Sequence, residues 1–201
     1  MKNYQITEWY RHFLEEHVEE GDLCIDATAG NGHDTLFLCM LAGEKGKVAA
    51  FDIQKQAIEA TRKRLEDAGV QNRASLFCTG HEKMEECLKN DEEWKERMLS
   101  KDGYGTISCI VFNFGYLPGG SHELATKPST SVEAIEQGLG MLKKNGLMSL
   151  CIYSGGDSGF EERDVLLKYL KGLDSRKYLV IMSSYYNRPN NPPIPVLIIR
   201  L

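Results

Sequence analysis

No two of the six cysteines, at positions 24, 39, 78, 87, 109 and 151, approach a Cys-x-x-Cys spacing. Neither a zinc site nor a disulfide-stapled scaffold is therefore suggested; reduced, mostly buried thiols in a cytosol fit better. Long apolar runs are also missing. The longest nearly uninterrupted one, Leu36 to Ala42, falls far short of the roughly 20 residues a bilayer crossing takes, and the N-terminus lacks a basic segment followed by an apolar one. A cytoplasmic protein with no membrane partner is expected. Positive charge is not in excess: the net charge of −5 argues against wholesale coating of a nucleic acid such as DNA, while leaving room for a local basic patch. There is no internal repeat, low-complexity tract or compositional break, so residues 1–201 are expected to form a single domain.

What is present is an alternation of short apolar runs with helical patterns, the signature of a parallel sheet covered on both faces. Seven strands are expected, at Leu23–Ala27, Val48–Asp52, Ala74–Cys78, Ile107–Asn113, Leu147–Tyr153, Tyr178–Ser184 and Val196–Leu201. Between them, Gln56–Ala68 sets Ile58 and Leu65 opposite a basic face and ends at Gly69, as a covering helix does. Thr130 with Glu133 three residues later reads as a capping box opening a helix over Val132, Ile135, Leu139 and Leu142 that stops at Lys143–Gly146. The charged stretch His81–Gly103, punctuated by Met84, Leu88, Trp94 and Met98, reads as one or two exposed amphipathic helices. Prolines in 187–193 force a loop before the last strand.

The chemistry concentrates after the first strand, where Asp26-Ala27-Thr28-Ala29-Gly30-Asn31-Gly32 leads into a helix containing Thr35, Leu36, Leu38 and Leu41. Glycines at such a strand-to-helix turn let a ligand approach the backbone closely. Asp52 closes the next strand 20 residues beyond Gly32, a position from which a carboxylate can hydrogen-bond two ribose hydroxyls. The same description fits NAD, so electrostatics must separate the cofactors. A pyrophosphate is repelled by carboxylates such as Asp26 and Asp34, whereas S-adenosylmethionine offers an ammonium and a sulfonium that they attract. The dinucleotide fingerprint also wants a small third residue where this chain has Thr35. Asp34 has a plainer reading as a favourable charge in a helix first turn.

Two more segments reach the carboxyl edge of the sheet, where open α/β folds bind ligands. Gly80-His81 follows the third strand, and the histidine either flanks an adenine or simply starts a helix. The fourth strand delivers Asn113-Phe114-Gly115-Tyr116-Leu117-Pro118. This resembles the Asn/Asp-Pro-Pro-Tyr/Phe motif of N-methyltransferases, in which an amide accepts hydrogen bonds from the target nitrogen and an aromatic ring stacks on its base. Phe114 and Gly115 stand where that motif has prolines, and Asn113 is otherwise a turn residue capping its strand.

Taken with Phe51-Asp52-Ile53-Gln54, Thr126-Lys127-Pro128-Ser129-Thr130 and Tyr153-Ser154-Gly155-Gly156-Asp157, these motifs make the chain, from about Leu14 onward, resemble the bacterial YtqB-type (MnmM-type) methyltransferases. That family has been described as rRNA methylases and is associated with tRNA wobble-uridine modification. The resemblance implies a Rossmann-like class I methyltransferase fold, α/β with helices on both faces and a seven-stranded, mostly parallel sheet whose last strand is antiparallel. It implies S-adenosyl-L-methionine as cofactor and methylation of the amine of 5-aminomethyl-2-thiouridine in a tRNA anticodon loop, in a homodimer. By carry-over, Asn31, His33, Asp34, Asp52, Gln54 and His81 contact the cofactor, alongside the loop residues Asp26, Gly30 and Gly32 and the edge residue Gly80. Asn113, Tyr116, Tyr153 and Asp157 lie near the transferred methyl, Asp157 serving either as proton acceptor or as a helix cap. Tyr116, Lys127, Arg163, Tyr185, Tyr186 and Arg188 are the candidate RNA contacts. No metal is implied. The charged segment Lys89–Gly105 is longer than the resemblance leads one to expect.

Other readings stay open on the residues alone: a small-molecule or rRNA methyltransferase with the same cofactor half, a non-catalytic S-adenosylmethionine-binding module, and, more remotely, an NAD-linked reductase.

Overall fold

The computed structural model describes residues 6–99, 105–115, 126–154 and 156–201, with side chains from residue 8 and excluding those of 156–158. Seven strands form one sheet: β1 (Leu23–Asp26), β2 (Lys47–Phe51), β3 (Ala74–Phe77), β4 (Ile107–Phe114), β5 (Leu142–Ile152), β6 (Tyr178–Met182) and β7 (Ile194–Arg200), in the order β3-β2-β1-β4-β5-β7-β6. β7 pairs antiparallel with both β5 and β6, and the other recorded pairings are parallel. The order reverses between β1 and β4, which opens a crevice at the carboxyl ends of those strands. β1 and β4 read as continuous apolar runs because they are covered on both faces.

Helices α1 (Ile6–His17), α2 (His33–Ala42), α3 (Lys55–Asp67), α4 (Met84–Asn90), α5 (Glu92–Arg97), α6 (Pro128–Met141) and α7 (Gly156–Lys171) supply the covers. One core, built on Ile25, Phe51, Ile110, Phe112 and Met148, is closed by Met84, Leu88 and Trp94 of α4 and α5 and by residues of α6 and α7. The other, on Cys24, Val48, Cys109 and Val111, is closed by α1 and α2 through Tyr10, Leu14, Leu38 and Cys39. The charged stretch thus forms two short helices whose apolar residues point inward, joined at Asp91, whose side chain accepts from the Trp94 amide at 3.1 Å.

Three local expectations change. The capping box at Thr130 does not form: α6 starts earlier, with Pro128 at its first position after Lys127, and the Thr130 hydroxyl donates to the Lys127 carbonyl at 3.1 Å. The helix ends at Met141, and Leu142 already pairs with Ile107 as the start of β5. The chain then bulges through Asn145 (φ 60°) before rejoining the ladder at Leu147, where the sequence pattern places the strand. In addition, α7 begins at Gly156, so Asp157 falls within its first turn rather than preceding it as a cap.

Helix α1, which the sequence pattern does not announce, is anchored by Tyr10 and Leu14, four residues apart and both buried. Leu14→Ala is expected to destabilise the protein by about 2–5 kcal/mol, whereas Met40→Ala, on the exposed side of α2, should change stability by less than about 0.5 kcal/mol. Equilibrium denaturation of the two variants checks the contrast.

Candidate functional site at the carboxyl edge of the sheet

The turn after β1 is held by its own backbone. Gly30 and Gly32 take positive φ values of 53° and 76°. A Cβ at Gly32 would stand 2.8 Å from the Cα of Thr61, so loop and α3 meet backbone to backbone. Thr61 also donates its hydroxyl to the Gly30 carbonyl at 3.2 Å, and Arg64 donates through Nε to the Asn31 carbonyl at 2.6 Å.

Asp26 is fully buried, and both its oxygens are engaged. The Thr35 hydroxyl donates to Oδ2 at 2.6 Å and the Thr28 amide to Oδ1 at 3.2 Å. Burial above all, then the nearby Asp34 and to a lesser degree Asp52, push its pKa up to about 7 against the pull of those two bonds. Thr35 therefore occupies the position where a dinucleotide fold prefers a small residue, and uses it to hold Asp26.

Asp52, half-buried at the end of β2, accepts from the Gly30 amide through Oδ2 at 3.0 Å and from the Gln54 amide through Oδ1 at 2.8 Å. Of a carboxylate's roughly four acceptor positions, two remain. Asn31 and His33 are exposed on the rim of the loop, the His33 ring lying 3.2 Å from the Arg64 guanidinium. His81 is buried below Gly80, with its ring bonded to the backbone of Ala27 and edge-on to Phe112 and Phe114. Burial holds its pKa below the usual imidazole value.

Asn113 joins this loop from β4. Its amide donates to the Thr28 hydroxyl at 2.7 Å, and its side-chain Nδ2 donates to Asp34 at 2.9 Å. Asp34 also accepts from Tyr10 at 2.8 Å and from Arg11 at 3.0 Å. Arg11, carried in by α1, thus stands as a countercharge beside Asp34, one of the two carboxylates that the sequence reading set against a pyrophosphate. Of the three acids, Asp52 is the one that keeps acceptor positions open toward the crevice.

Beyond Asn113, Phe114 is buried in the core against Phe112 and is no base-stacking surface. Gly115 lies against Tyr153, where a Cβ would come within 3.3 Å of that residue's Cβ. Gly115 and Thr126 hydrogen-bond each other in both directions, Gly115 N to Thr126 Oγ1 at 3.0 Å and Thr126 N to Gly115 O at 3.1 Å. Buried Glu162 of α7 accepts from Thr126 and from Ser131, each at 2.6 Å, while burial raises its pKa. This clasp joins Gly115 to Thr126, and Tyr116 lies outside the described residues, as does the side chain of Asp157. Lys127 follows the clasp directly and is exposed. Arg188 and Tyr186 are exposed on the β6–β7 connection, which leaves the sheet at the same edge. Arg163 instead lies over the Phe160 ring and bonds Asp164.

Sequence reasoning missed Tyr10, Arg11 and Glu162, and named Thr28 and Thr126 within their motifs without a partner. The Tyr10–Leu14–Val18 spacing was the available signal for α1; nothing local marks the partners of the other three. Among the described residues no cluster of His, Cys, Asp and Glu could hold a metal ion, and no helix is long and apolar enough to cross a membrane.

Comparison with known proteins follows the same lines. Residues 48–199 match the family described as "Putative rRNA methylase". The chain is 34% identical over 196 residues to the chloroplastic tRNA (mnm(5)s(2)U34)-methyltransferase of Arabidopsis thaliana, covering 94% of this chain and 67% of that protein. Among solved structures it is similar to one from Clostridium thermocellum described as a "putative rRNA-methylase", with 36% identity and a TM-score of 0.88 over 100% of both chains. A Streptococcus mutans protein described as "a putative methyltransferase", solved in complex with SAH, is 32% identical, with a TM-score of 0.82 over 100% of both chains.

The raised pKa of Asp26 has a signed consequence. Its folded-state value, about 7, lies above the usual 3.8, so its contribution to stability is fully present below about pH 4 and is lost as pH rises to about 7. Asp26→Asn, whose amide can donate to Thr35 while its oxygen accepts from Thr28, should therefore gain on the parent protein across that window, by a few kcal/mol, and run parallel to it above. Denaturation midpoints of both proteins from pH 4 to 8 check this.

Proposed function

This chain belongs to the family described as "Putative rRNA methylase", and from that premise we propose that it is an S-adenosylmethionine-dependent N-methyltransferase. Its acceptor is the amine of 5-aminomethyl-(2-thio)uridine at the tRNA wobble position, which becomes methylaminomethyluridine. The observation that carries the cofactor half is the acidic glycine turn: Asp26 and Asp52 flank Gly30–Gly32, with Asp52 keeping two acceptor positions open. Such a turn suits a cationic, ribose-bearing ligand and disfavours a pyrophosphate. The wobble-uridine half is supported by the 34% identity to the Arabidopsis enzyme and by the Asn113 loop.

In this reading Asp52 receives the ribose hydroxyls, and Gly30, Asn31, Gly32 and His33 line the turn against the rest of the molecule. Gln54, Gly80 and His81 border the adenine, the last as a neutral ring, consistent with its lowered pKa. When bound, S-adenosylmethionine supplies an electrophilic methyl group on a sulfonium. The chain has only to hold the acceptor nitrogen neutral, in line and shielded from water, and no covalent intermediate is required. Asn113 offers an amide oxygen to the N–H of that nitrogen, Tyr116 and Tyr153 flank the base, and Asp157 stands by to receive a proton. Lys127 and Arg188 hold the anticodon-loop phosphates, as exposed cations at the rim of a site do.

The test is transfer of a radiolabelled methyl group from S-adenosylmethionine to tRNA lacking the final methylation, with nucleoside analysis and with rRNA and metabolites as parallel acceptors. Label in methylaminomethyluridine is expected, and Asn113→Ala should lower kcat on the order of 10²-fold with little change in cofactor affinity. Label in rRNA or a small molecule instead would move the acceptor, and cofactor binding without transfer would reduce the protein to a binding module. Lys127→Ala should weaken tRNA binding and reduce the slope of log K against log salt by about 1, leaving cofactor affinity alone; an unchanged slope removes Lys127 from the RNA contacts.

A further inference from the structure

Three donors from two other elements converge on the carboxylate of Asp34, the first-turn acid of α2. The Tyr10 hydroxyl and the Asn113 Nδ2 both reach Oδ2, at 2.8 and 2.9 Å, and Arg11 Nη2 reaches Oδ1 at 3.0 Å. Arg11 is itself fixed by Glu8 at 2.8 Å and by the Phe37 ring, 5.0 Å from its guanidinium carbon. Tyr10 is 1% exposed, and burial together with Asp34 raises its pKa far above the usual phenol value, so its hydroxyl remains a donor.

A side-chain amide has two faces, an NH2 that donates and an oxygen that accepts, and a half-turn about its last torsion exchanges them. A carboxylate accepts only, so Asp34 requires the nitrogen of Asn113 on its own side and leaves Oδ1 pointing elsewhere. An acceptor nitrogen that carries N–H groups needs that oxygen; the reversed amide would meet it donor to donor. Asp34 can impose this choice only if it is itself held, and α1 holds it.

We infer that Tyr10 and Arg11 are positioning residues for the transfer, fixing through Asp34 the face that the Asn113 amide presents to the reacting nitrogen. The inference rests on the function proposed above for what Oδ1 meets. Helix α1 is then part of the site, although neither of these side chains touches the acceptor.

The experiment compares Tyr10→Phe, Arg11→Met, Arg11→Lys and the double variant Arg11→Met/Asn113→Ala with the parent protein. Four quantities are read: kcat, KM for tRNA, cofactor Kd by calorimetry, and melting temperature. Tyr10→Phe and Arg11→Met should lower kcat about tenfold or more with KM and cofactor Kd within about twofold, and Arg11→Met should cost nothing further once Asn113 is alanine. Arg11→Lys, which keeps the charge and one donor, should recover part of the loss. Additive losses in the double variant, or a tenfold weaker cofactor Kd with kcat unchanged, would overturn the inference, the latter by assigning Asp34 to the cofactor. The side-chain amide resonances of Asn113, identified by their disappearance in Asn113→Ala, give a readout independent of turnover. They should shift in Tyr10→Phe and Arg11→Met, and unshifted resonances overturn the inference. If the parent protein methylates nothing, the function proposed above fails, while these resonances still decide whether α1 orients Asn113.

Discussion

A carboxylate buried without compensation is among the more expensive things a fold can contain, and this one places Asp26 at the end of its central strand with no exposed surface. The turn that follows is arranged around that group. The Thr28 amide donates to it from two residues on, the Thr35 hydroxyl donates from beyond the two positive-φ glycines that turn the chain back, and the contact with Thr61 holds the loop down on α3. The raised pKa shows that the compensation is incomplete. The turn thus sets Asp26 and Asp52 beside a helix N-terminus, where the backbone alone would favour an anion.

A second layer of bonds fixes the groups around the turn. Asp34 gathers α1, α2 and the end of β4 at one carboxylate, and Glu162 gathers α7, the start of α6 and the residue that closes the segment after β4. In each case a buried or half-buried acid accepts several hydrogen bonds from different elements. Such networks are costly when half satisfied and rigid when complete. The edge of the sheet therefore has two anchored walls, one at Asp34 and one at Glu162.

Much of the architecture was legible because it rests on short-range regularities. All seven strands and the helices α2 to α6 follow from apolar runs, periodicity and punctuation by Gly30, Gly69 and the 187–193 prolines, whereas α7 had only the cap reading of Asp157 to announce it. The misplacements are local competitions. Thr130 has the residue type of a cap but lies inside a helix that Pro128 can start earlier, and Leu142 continues a helical pattern yet is captured by the ladder with Ile107. Helix α1 escaped because its apolar positions near Tyr10 and Leu14 carry no capping or glycine punctuation, and its place is set by docking on β4, β5 and β7 and on α2 through Asp34 and Phe37.

By itself the sequence determined the sheet, the glycine turn, the acid at the end of β2 and the asparagine at the end of β4, since each is a matter of which residue type occupies which point on one element. Only the tertiary structure decided who partners whom. Arg11 and Asp34 are 23 positions apart, Asn113 and Asp34 are 79 apart, and Thr126 and Glu162 are 36 apart. Whether a carboxylate is free for a ligand or occupied by the protein depends on such distant donors. Hydrogen bonds and charge pairs act over a few ångströms of space, and separation along the chain carries almost no information about that distance until the helices have packed onto the sheet.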